Sequence, residues 1–253
     1  MIRIIRGRTA ARVVYVDTPA LSTPYPFFPP VDRIPIGCPP VDDMLGGGVE
    51  RGCVTLFYGE AGAGKTNLCL QLAKNMALSG RKVAYVDTEG VSMERLAQIS
   101  GLSGPDVLKN LLFFQVHDFD EQTRSVENAV RLVESNSEVG MIIIDSMTMY
   151  YRLGARDDLH NVRKSLIIQT ERLLNASRKM DVPIILTSQV YTAIDTGTFE
   201  FLGGHVLHHN AKTIIRLDKA GPNRRRAVVM KHRSIPEGRS ATFNIGGSGL
   251  VCD

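Results

Sequence analysis

Five short apolar runs, CVTLFY, KVAYVD, LLFFQV, MIIIDS and PIILTS, punctuate this chain, and each gap between them is long enough for a helix. None of the runs alternates regularly between apolar and polar residues, so a strand built from any of them is buried on both faces. Parallel neighbours need a crossover of about a dozen or more residues, which these gaps supply. The pattern predicts an α/β fold with a mostly parallel central sheet.

The intervening helices carry their own signals. Asp118 followed by Glu121 forms an aspartate-type capping box that opens a helix running to about Ser135. From Leu159, the set Val162, Leu166, Ile167, Leu173 and Leu174 repeats at three and four residues, one helical stripe facing a sheet. The last third changes character: KTIIRLD, RRAVVMKH and ATFNIG are separated only by turns such as AGPN and PEG. These strands are expected to be antiparallel, extending the sheet by hairpins at one edge.

Most of the prolines fall before residue 41, and TPYPFFPPVDRIP is expected to be extended and irregular, since proline fixes φ and removes a donor. The division drawn from this is a proline-rich, basic, irregular extension over 1–33 and a core over 34–253. The first 16 residues contain Arg3, Arg6, Arg8 and Arg12 but no continuous apolar run of a secretion signal, and no stretch approaches a membrane span. A cytoplasmic location is expected. Cys38, Cys53, Cys69 and Cys252 form no CxxC pair, which argues against a zinc site or a disulfide framework.

The chemistry begins at GEAGAGKT, which fits GxxxxGK[ST] and lies between an apolar run and a helical pattern. Backbone N–H groups in such a loop face phosphate oxygens, so Gly59, Glu60, Ala61, Gly62, Ala63, Gly64, Lys65, Thr66 and Asn67 are the candidate ATP-binding residues. Lys65 would contact the terminal phosphates, and Thr66 would ligate Mg²⁺. Asp145, closing MIIID, is the candidate second metal ligand. AYVDTEG ends another run with two carboxylates: Glu89 is placed to orient or deprotonate water, though Asp87 could take that role. Gln189 ends PIILTSQ at the same edge, where its amide could sense a γ-phosphate.

Taken in order, IPIGCPPVDDMLGGGVERGCVTLFYGEAGAGKT, AYVDTEG, MIIIDSMTMYYR, LTSQV and GGHVLHHNAKTIIRLDK resemble the ATPase core of RecA-like recombinases, in particular the archaeal RadA and RadB branch. The similarity runs from about residue 34 to the end, and the KHR triplet at Lys231–Arg233 inclines it toward RadB. The resemblance implies a RecA-type core. It assigns Lys65 and Thr66 to ATP and Mg²⁺, Glu89 to catalysis, Asp145 to the metal, and Gln189 to coupling nucleotide with DNA. KHRSIPEG matches the segment that covers a neighbouring subunit's ATP. Implied partners are DNA, single-stranded or branched, the RadA recombinase, a Holliday-junction resolvase and further copies of the chain. The strand-exchange members carry a folded N-terminal domain and a Phe-x-x-Ala motif; here FFPP lacks the alanine, and VYTAIDTGTFEFLG is short for their second DNA-binding loop. An accessory role with weak ATP hydrolysis is therefore expected over strand exchange, the competing readings being a RadA-type recombinase and a KaiC-like regulatory ATPase.

The net charge of +4 is unevenly distributed: residues 1–34 carry +3 and residues 212–239 carry +7, leaving −6 elsewhere. Lys212, Arg216, Lys219, Arg224, Arg225, Arg226, Lys231 and Arg233 form a stripe suited to DNA phosphates, strongly salt-dependent and blind to base sequence. Arg152 and Arg156 follow the metal strand in the family's first DNA-facing loop, beside Tyr150 and Tyr151, which either stack on bases or pack at the sheet edge. His205, His208 and His209 lack a further metal ligand in the pattern.

Overall fold

The computed structural model describes residues 2–6, 11–15, 31–154, 159–192, 199–201 and 204–252. It forms two compact units, Met1–Val31 and Asp32–Asp253. In the first, β1 (Ile2–Arg6) pairs antiparallel with β2 (Ala11–Tyr15), Ile4 opposite Val13. The extension is thus not irregular throughout. IRIIR and ARVVY are rich in β-branched residues, which favour a pleated strand, and they precede the prolines. Residues 16–30, with Pro19, Pro24, Pro26, Pro29 and Pro30, lie outside the described residues.

The second unit opens with β3 (Arg33–Ile34), α1 (Pro39–Met44) and β4 (Val49–Glu50), β3 and β4 forming a small antiparallel pair. The nucleotide half follows as β5 (Val54–Gly59), α2 (Lys65–Leu78), β6 (Lys82–Asp87), α3 (Met93–Ser100), α4 (Gly104–Lys109) and β7 (Leu111–Gln115). Then come α5 (Phe119–Ser135), β8 (Val139–Asp145), α6 (Met149–Gly154), α7 (Leu159–Met180), β9 (Ile184–Thr192) and β10 (Phe199–Phe201). The chain closes with α8 (Gly204–Asn210), β11 (Thr213–Lys219), β12 (Arg224–Lys231), β13 (Ser240–Gly246) and β14 (Gly249–Val251).

All five apolar runs become neighbouring parallel strands, in the sheet order β14-β13-β12-β11-β5-β9-β8-β6-β7. The hairpins β11–β12–β13–β14 extend one edge antiparallel, as expected. KTIIRLD departs from the expectation on its inner side, where β11 runs parallel to β5. The segment from β9 through α8 supplies the crossover that such a pairing needs. Alternate residues of the same strands feed two cores: Phe57, Tyr85, Ile143 and Ile185 join the cluster containing α2, while Leu56, Val86, Ile142 and Ile184 join the one containing residues of α5 and α7. Burial on both faces explains the missing alternation in the sequence.

The predicted cap is formed, with its return bond one residue earlier than in a standard capping box. Asp118 Oδ1 accepts the Glu121 N–H at 2.7 Å, and Glu121 Oε2 reaches back to the His117 N–H at 2.8 Å. It aims α5 so that Val126, Ala129 and Val133 are buried.

One expectation is overturned. Cys38 and Cys252 form a disulfide, their Cα atoms 5.4 Å apart across 214 residues of sequence. Spacing in the chain gives no sign of it, because only the edge hairpin β13–β14 carries the end of the chain to the N-terminus of α1. Cys53 and Cys69 are buried free thiols, as expected of small hydrophobes. A bond closing so long a loop restricts the unfolded chain, so Cys252→Ser is expected to lose about 2–4 kcal/mol of stability. Guanidinium unfolding with and without a reductant measures this, and curves that coincide would show that the bond contributes nothing.

Candidate nucleotide site

The site stands at the carboxyl ends of the parallel strands, and register decides which residues meet there. Gly59 is level with Gln189 across β5 and β9, and Asp87 is level with Asp145 across β6 and β8. The last residue of β5 is glycine because a Cβ there would sit 2.3 Å from the Leu217 carbonyl oxygen. Gly64 opens α2 at φ +99°, a left-handed conformation that strains any other residue. The first intrahelical bond runs from Leu68 N to Gly64 O, leaving the N–H groups of Lys65, Thr66 and Asn67 at the helix start, where anions bind. Lys65 is buried, and its Nζ donates to the carbonyls of Gly59 at 2.9 Å and Glu60 at 3.0 Å. Burial draws its pKa down, against the pull of Glu89 and Asp145.

Asp145 is 1% exposed, and its carboxylate accepts from Thr187 Oγ1 at 2.6 Å and from Tyr85 OH at 2.9 Å, with the Thr66 hydroxyl near enough to favour its charged form. Burial raises its pKa, opposed by these three donors. A buried carboxylate beside the loop threonine is a hard, all-oxygen donor pair, the chemistry that suits Mg²⁺. Tyr85 and Thr187 were not foreseen. The period-two alternation of β6 and β9 was their signal, since it turns both toward the end of β8.

The two carboxylates of AYVDTEG separate cleanly. Asp87 is buried, and its oxygens accept the N–H groups of Glu89, Gly90 and Val91 at 3.2, 2.9 and 2.7 Å. Asp87 therefore builds the turn that presents Glu89. Glu89 is exposed, and its Oε1 accepts from Gln189 Nε2 at 2.9 Å across a sequence separation of 100. Arg152 Nη1 stands 3.5 Å from the oxygen of the same amide. Beside Glu89 lies a cleft of about 290 Å³, also lined by Gln115, His117 and Tyr150. Tyr150 donates to the Val116 carbonyl at 2.9 Å, so it is packed at the sheet edge. Arg156 lies outside the described residues.

The basic stripe divides as well. Arg224 and Arg226 are exposed and share one face of β12, their side chains bonding, among the described residues, to the Thr242 and Ser240 hydroxyls at 3.3 and 3.2 Å. Arg225 points the other way, and its Nε donates to the Gly62 carbonyl at 3.0 Å, tying the edge hairpin to the phosphate loop. Lys219 comes to the same loop, 4.0 Å from the Glu60 carboxylate. Arg216 pairs with Asp218 at 3.0 Å. Asn67 Oδ1 accepts from Arg95 Nε at 2.8 Å, which occupies its side chain and leaves its N–H for the loop.

Arg233 is committed elsewhere. Its Nη2 bonds the buried Glu50 at 2.6 Å, and Arg33 bonds the same carboxylate at 2.9 Å. Burial pushes the Glu50 pKa up, but Arg233, His232 and Arg33 outweigh it and hold it below its ordinary value. His232, whose side chain is 1% exposed, accepts at Nδ1 from the N–H groups of Ser234 and Ile235 at 3.1 and 3.2 Å. Burial lowers its pKa; Glu50 opposes this, and Arg33 and Arg233 add to it. A histidine kept neutral in the fold protonates first in the unfolded chain, so its contribution is full above about pH 6.5 and is lost as pH falls below that. Stability is expected to fall by up to ~1.4 kcal/mol per pH unit below this point. Denaturant unfolding at pH 8 and pH 5.5 tests this against His232→Asn, and an equal pH dependence in both proteins would exclude His232 as the source.

A family model described as Rad51 matches residues 30–253. The chain is 41% identical over 215 residues to a "DNA repair and recombination protein RadB" of Methanococcoides burtonii, covering 84% of this chain and 95% of that protein. It is 40% identical over 219 residues to the Archaeoglobus fulgidus protein of the same description, covering 86% and 97%. A crystal structure described as that of the RadB recombinase superposes with a TM-score of 0.77 at 36% identity, covering 87% of this chain and 99% of that one.

Proposed function

The chain belongs to the Rad51 family, and from that premise we propose that it is an ATP- and DNA-binding accessory protein of homologous recombination and DNA repair, with weak ATP hydrolysis and no strand exchange of its own. The observation that carries this reading is the bridge Arg152–Gln189–Glu89. It connects an arginine of the DNA-facing helix with the carboxylate beside the phosphate loop through a single amide. An amide both donates and accepts, so whatever draws Arg152 away from its oxygen changes how firmly its nitrogen holds Glu89. ATP then acts chiefly as a ligand that shifts the protein between states by its differential affinity for them.

In this reading Lys65 leaves the loop carbonyls for the terminal phosphates, since an ammonium binds charged oxygens more strongly than neutral ones. Thr66 and Asp145 hold Mg²⁺, which when bound offsets phosphate charge. Glu89 orients the attacking water, and Gln189 restrains it. Arg152, Lys212, Arg224, Arg226 and Lys231 meet DNA phosphates, while Arg225 serves the phosphate loop and Arg233 the Glu50 cluster. Arg156 is assigned to DNA from the sequence alone. RadA recombinase, a Holliday-junction resolvase and further copies of this chain are the proposed partners. Among the described residues no helix is long and apolar enough to cross a membrane, and the proposed location is the cytoplasm.

The test is ATPase activity with and without single-stranded DNA, run beside sizing in ATP. Slow turnover that DNA changes only modestly supports the accessory reading. Strong stimulation with joint-molecule formation by this protein alone would establish a recombinase instead, and ATP-dependent hexamers without DNA affinity would point to a KaiC-like regulator. The division of the arginines adds a sharper expectation. Arg224→Ala with Arg226→Ala should flatten the salt slope of DNA binding by up to about two contacts' worth, and Arg225→Ala should weaken ATP binding while leaving that slope unchanged. The reverse assignment of the two effects would refute it.

A further inference from the structure

The ladder between β6 and β8 ends at Asp87 opposite Asp145, yet the two chains stay joined one step further. The Thr88 N–H donates to the Asp145 carbonyl at 3.0 Å. Beyond it a side chain takes over from the backbone: Thr88 Oγ1 accepts the Ser146 N–H at 2.7 Å and donates to the Ser146 carbonyl at 2.9 Å. One hydroxyl thus satisfies both backbone groups of a fully buried residue, and Thr88 itself is 5% exposed. Valine has nearly the same shape and can make neither bond, whereas serine lacks only the methyl group.

The joint lies between two parts of the site. On one side Glu89 follows Thr88 directly. On the other, Ser146 begins the connection from Asp145 to α6, the helix that carries Arg152. That connection is held further along by other elements, the Met147 N–H donating to the Thr187 carbonyl at 2.9 Å and Gln122 Nε2 to the Met147 carbonyl at 3.2 Å. Asp87 gives the Glu89 turn its shape through bonds that reach no more than four residues along the chain. The bonds of Thr88 span 58 residues, so they fix where that turn stands against the end of β8.

We propose that Thr88 is a positioning residue for ATP hydrolysis: its hydroxyl sets Glu89 against the connection from Asp145 to α6, and so governs the chemical step without holding nucleotide. The inference rests on the reading of Glu89 as the group that orients water, and deepens it. Attack on phosphorus tolerates little error in the placing of that water, since a displacement of about 1 Å can cost on the order of a hundredfold in rate. The candidate ATP-binding residues stand at the end of β5, in the loop after it and at the start of α2, so affinity for ATP is set apart from this joint.

The test uses the full chain and measures single-turnover hydrolysis at saturating ATP beside ATP affinity by calorimetric titration. Thr88→Val is expected to slow the chemical step by about tenfold to a hundredfold and to leave affinity within a few fold of the wild type. Thr88→Ser should regain most of the rate, because it keeps the hydroxyl. Thr88→Ala removes the same bonds with a smaller side chain and should be as slow as the valine variant, which keeps the test open if valine prevents folding. The arm that separates positioning from general loosening is Thr88→Val combined with Glu89→Gln. A residue that acts through Glu89 adds nothing once that carboxylate is gone, so the double variant should be no slower than Glu89→Gln alone, whereas independent damage would add to it. Full rate in the valine and alanine variants, a serine variant as slow as they are, or a double variant slowed by the product of the two single effects overturns the inference and leaves the role of Glu89 standing. Glu89→Gln at the wild-type rate, or a wild type that does not hydrolyse ATP, removes the reading of Glu89 itself and this inference with it.

Discussion

Lys65→Ala abolishes nucleotide-dependent behaviour and leaves the fold in place: this is the expected result with the largest effect on binding. The Lys65 ammonium is buried at the foot of the loop and held by two backbone carbonyls, so its position is set before any ligand arrives. Charge-assisted hydrogen bonds contribute about 1.5–3 kcal/mol each, and losing the contacts to the terminal phosphates should weaken ATP by on the order of a hundredfold or more. The cost to the fold is small by comparison. The lysine is itself held below its ordinary pKa by burial, and its removal leaves only the loop carbonyls of Gly59 and Glu60 without that donor. Calorimetric titration with ATP, alongside thermal unfolding of both proteins, separates the two effects. Unchanged affinity would place the triphosphate elsewhere.

Glu89→Gln is expected to leave ATP affinity within a few fold and to lower turnover by about a hundredfold to ten-thousandfold, the range for losing a positioned general base. Glutamine keeps the length and can still accept from Gln189, so the bridge to Arg152 survives while the basic carboxylate does not. Single-turnover hydrolysis at saturating ATP reads the chemical step directly. Retained turnover would shift the catalytic role away from Glu89. Asp87 is a poor substitute, since both its oxygens are occupied by the backbone of the turn.

The two carboxylates illustrate where a linear reading stops. Asp87 and Glu89 are both carboxylates and two residues apart, and nothing in AYVDTEG assigns one to the turn and the other to Gln189. Direction of the side chain decides it, and that follows from how β6 ends against β8. The arginines repeat the lesson. Arg224, Arg225 and Arg226 read as one charge run, but a strand alternates its faces, so the middle one turns to the phosphate loop and the outer two face solvent. Arg233 belongs to the same stripe in sequence, yet a buried Glu50 from β4 captures it.

By itself the sequence determined whatever depends on residues close along the chain: the parallel α/β pattern, the phosphate loop between β5 and α2, the cap of α5 and the strand end that carries Asp145, whereas β9 runs on past Gln189 to Thr192. Backbone geometry and local hydrogen bonds specify these within a few residues, so composition and spacing suffice. The tertiary structure alone decided the pairing of Cys38 with Cys252, the grip of Gln189 on Glu89, and the enclosure of Asp145 by Tyr85 and Thr187. Each unites groups far apart in sequence. Their meeting depends on the order in which strands pair and the face each side chain takes, which no window along the chain contains.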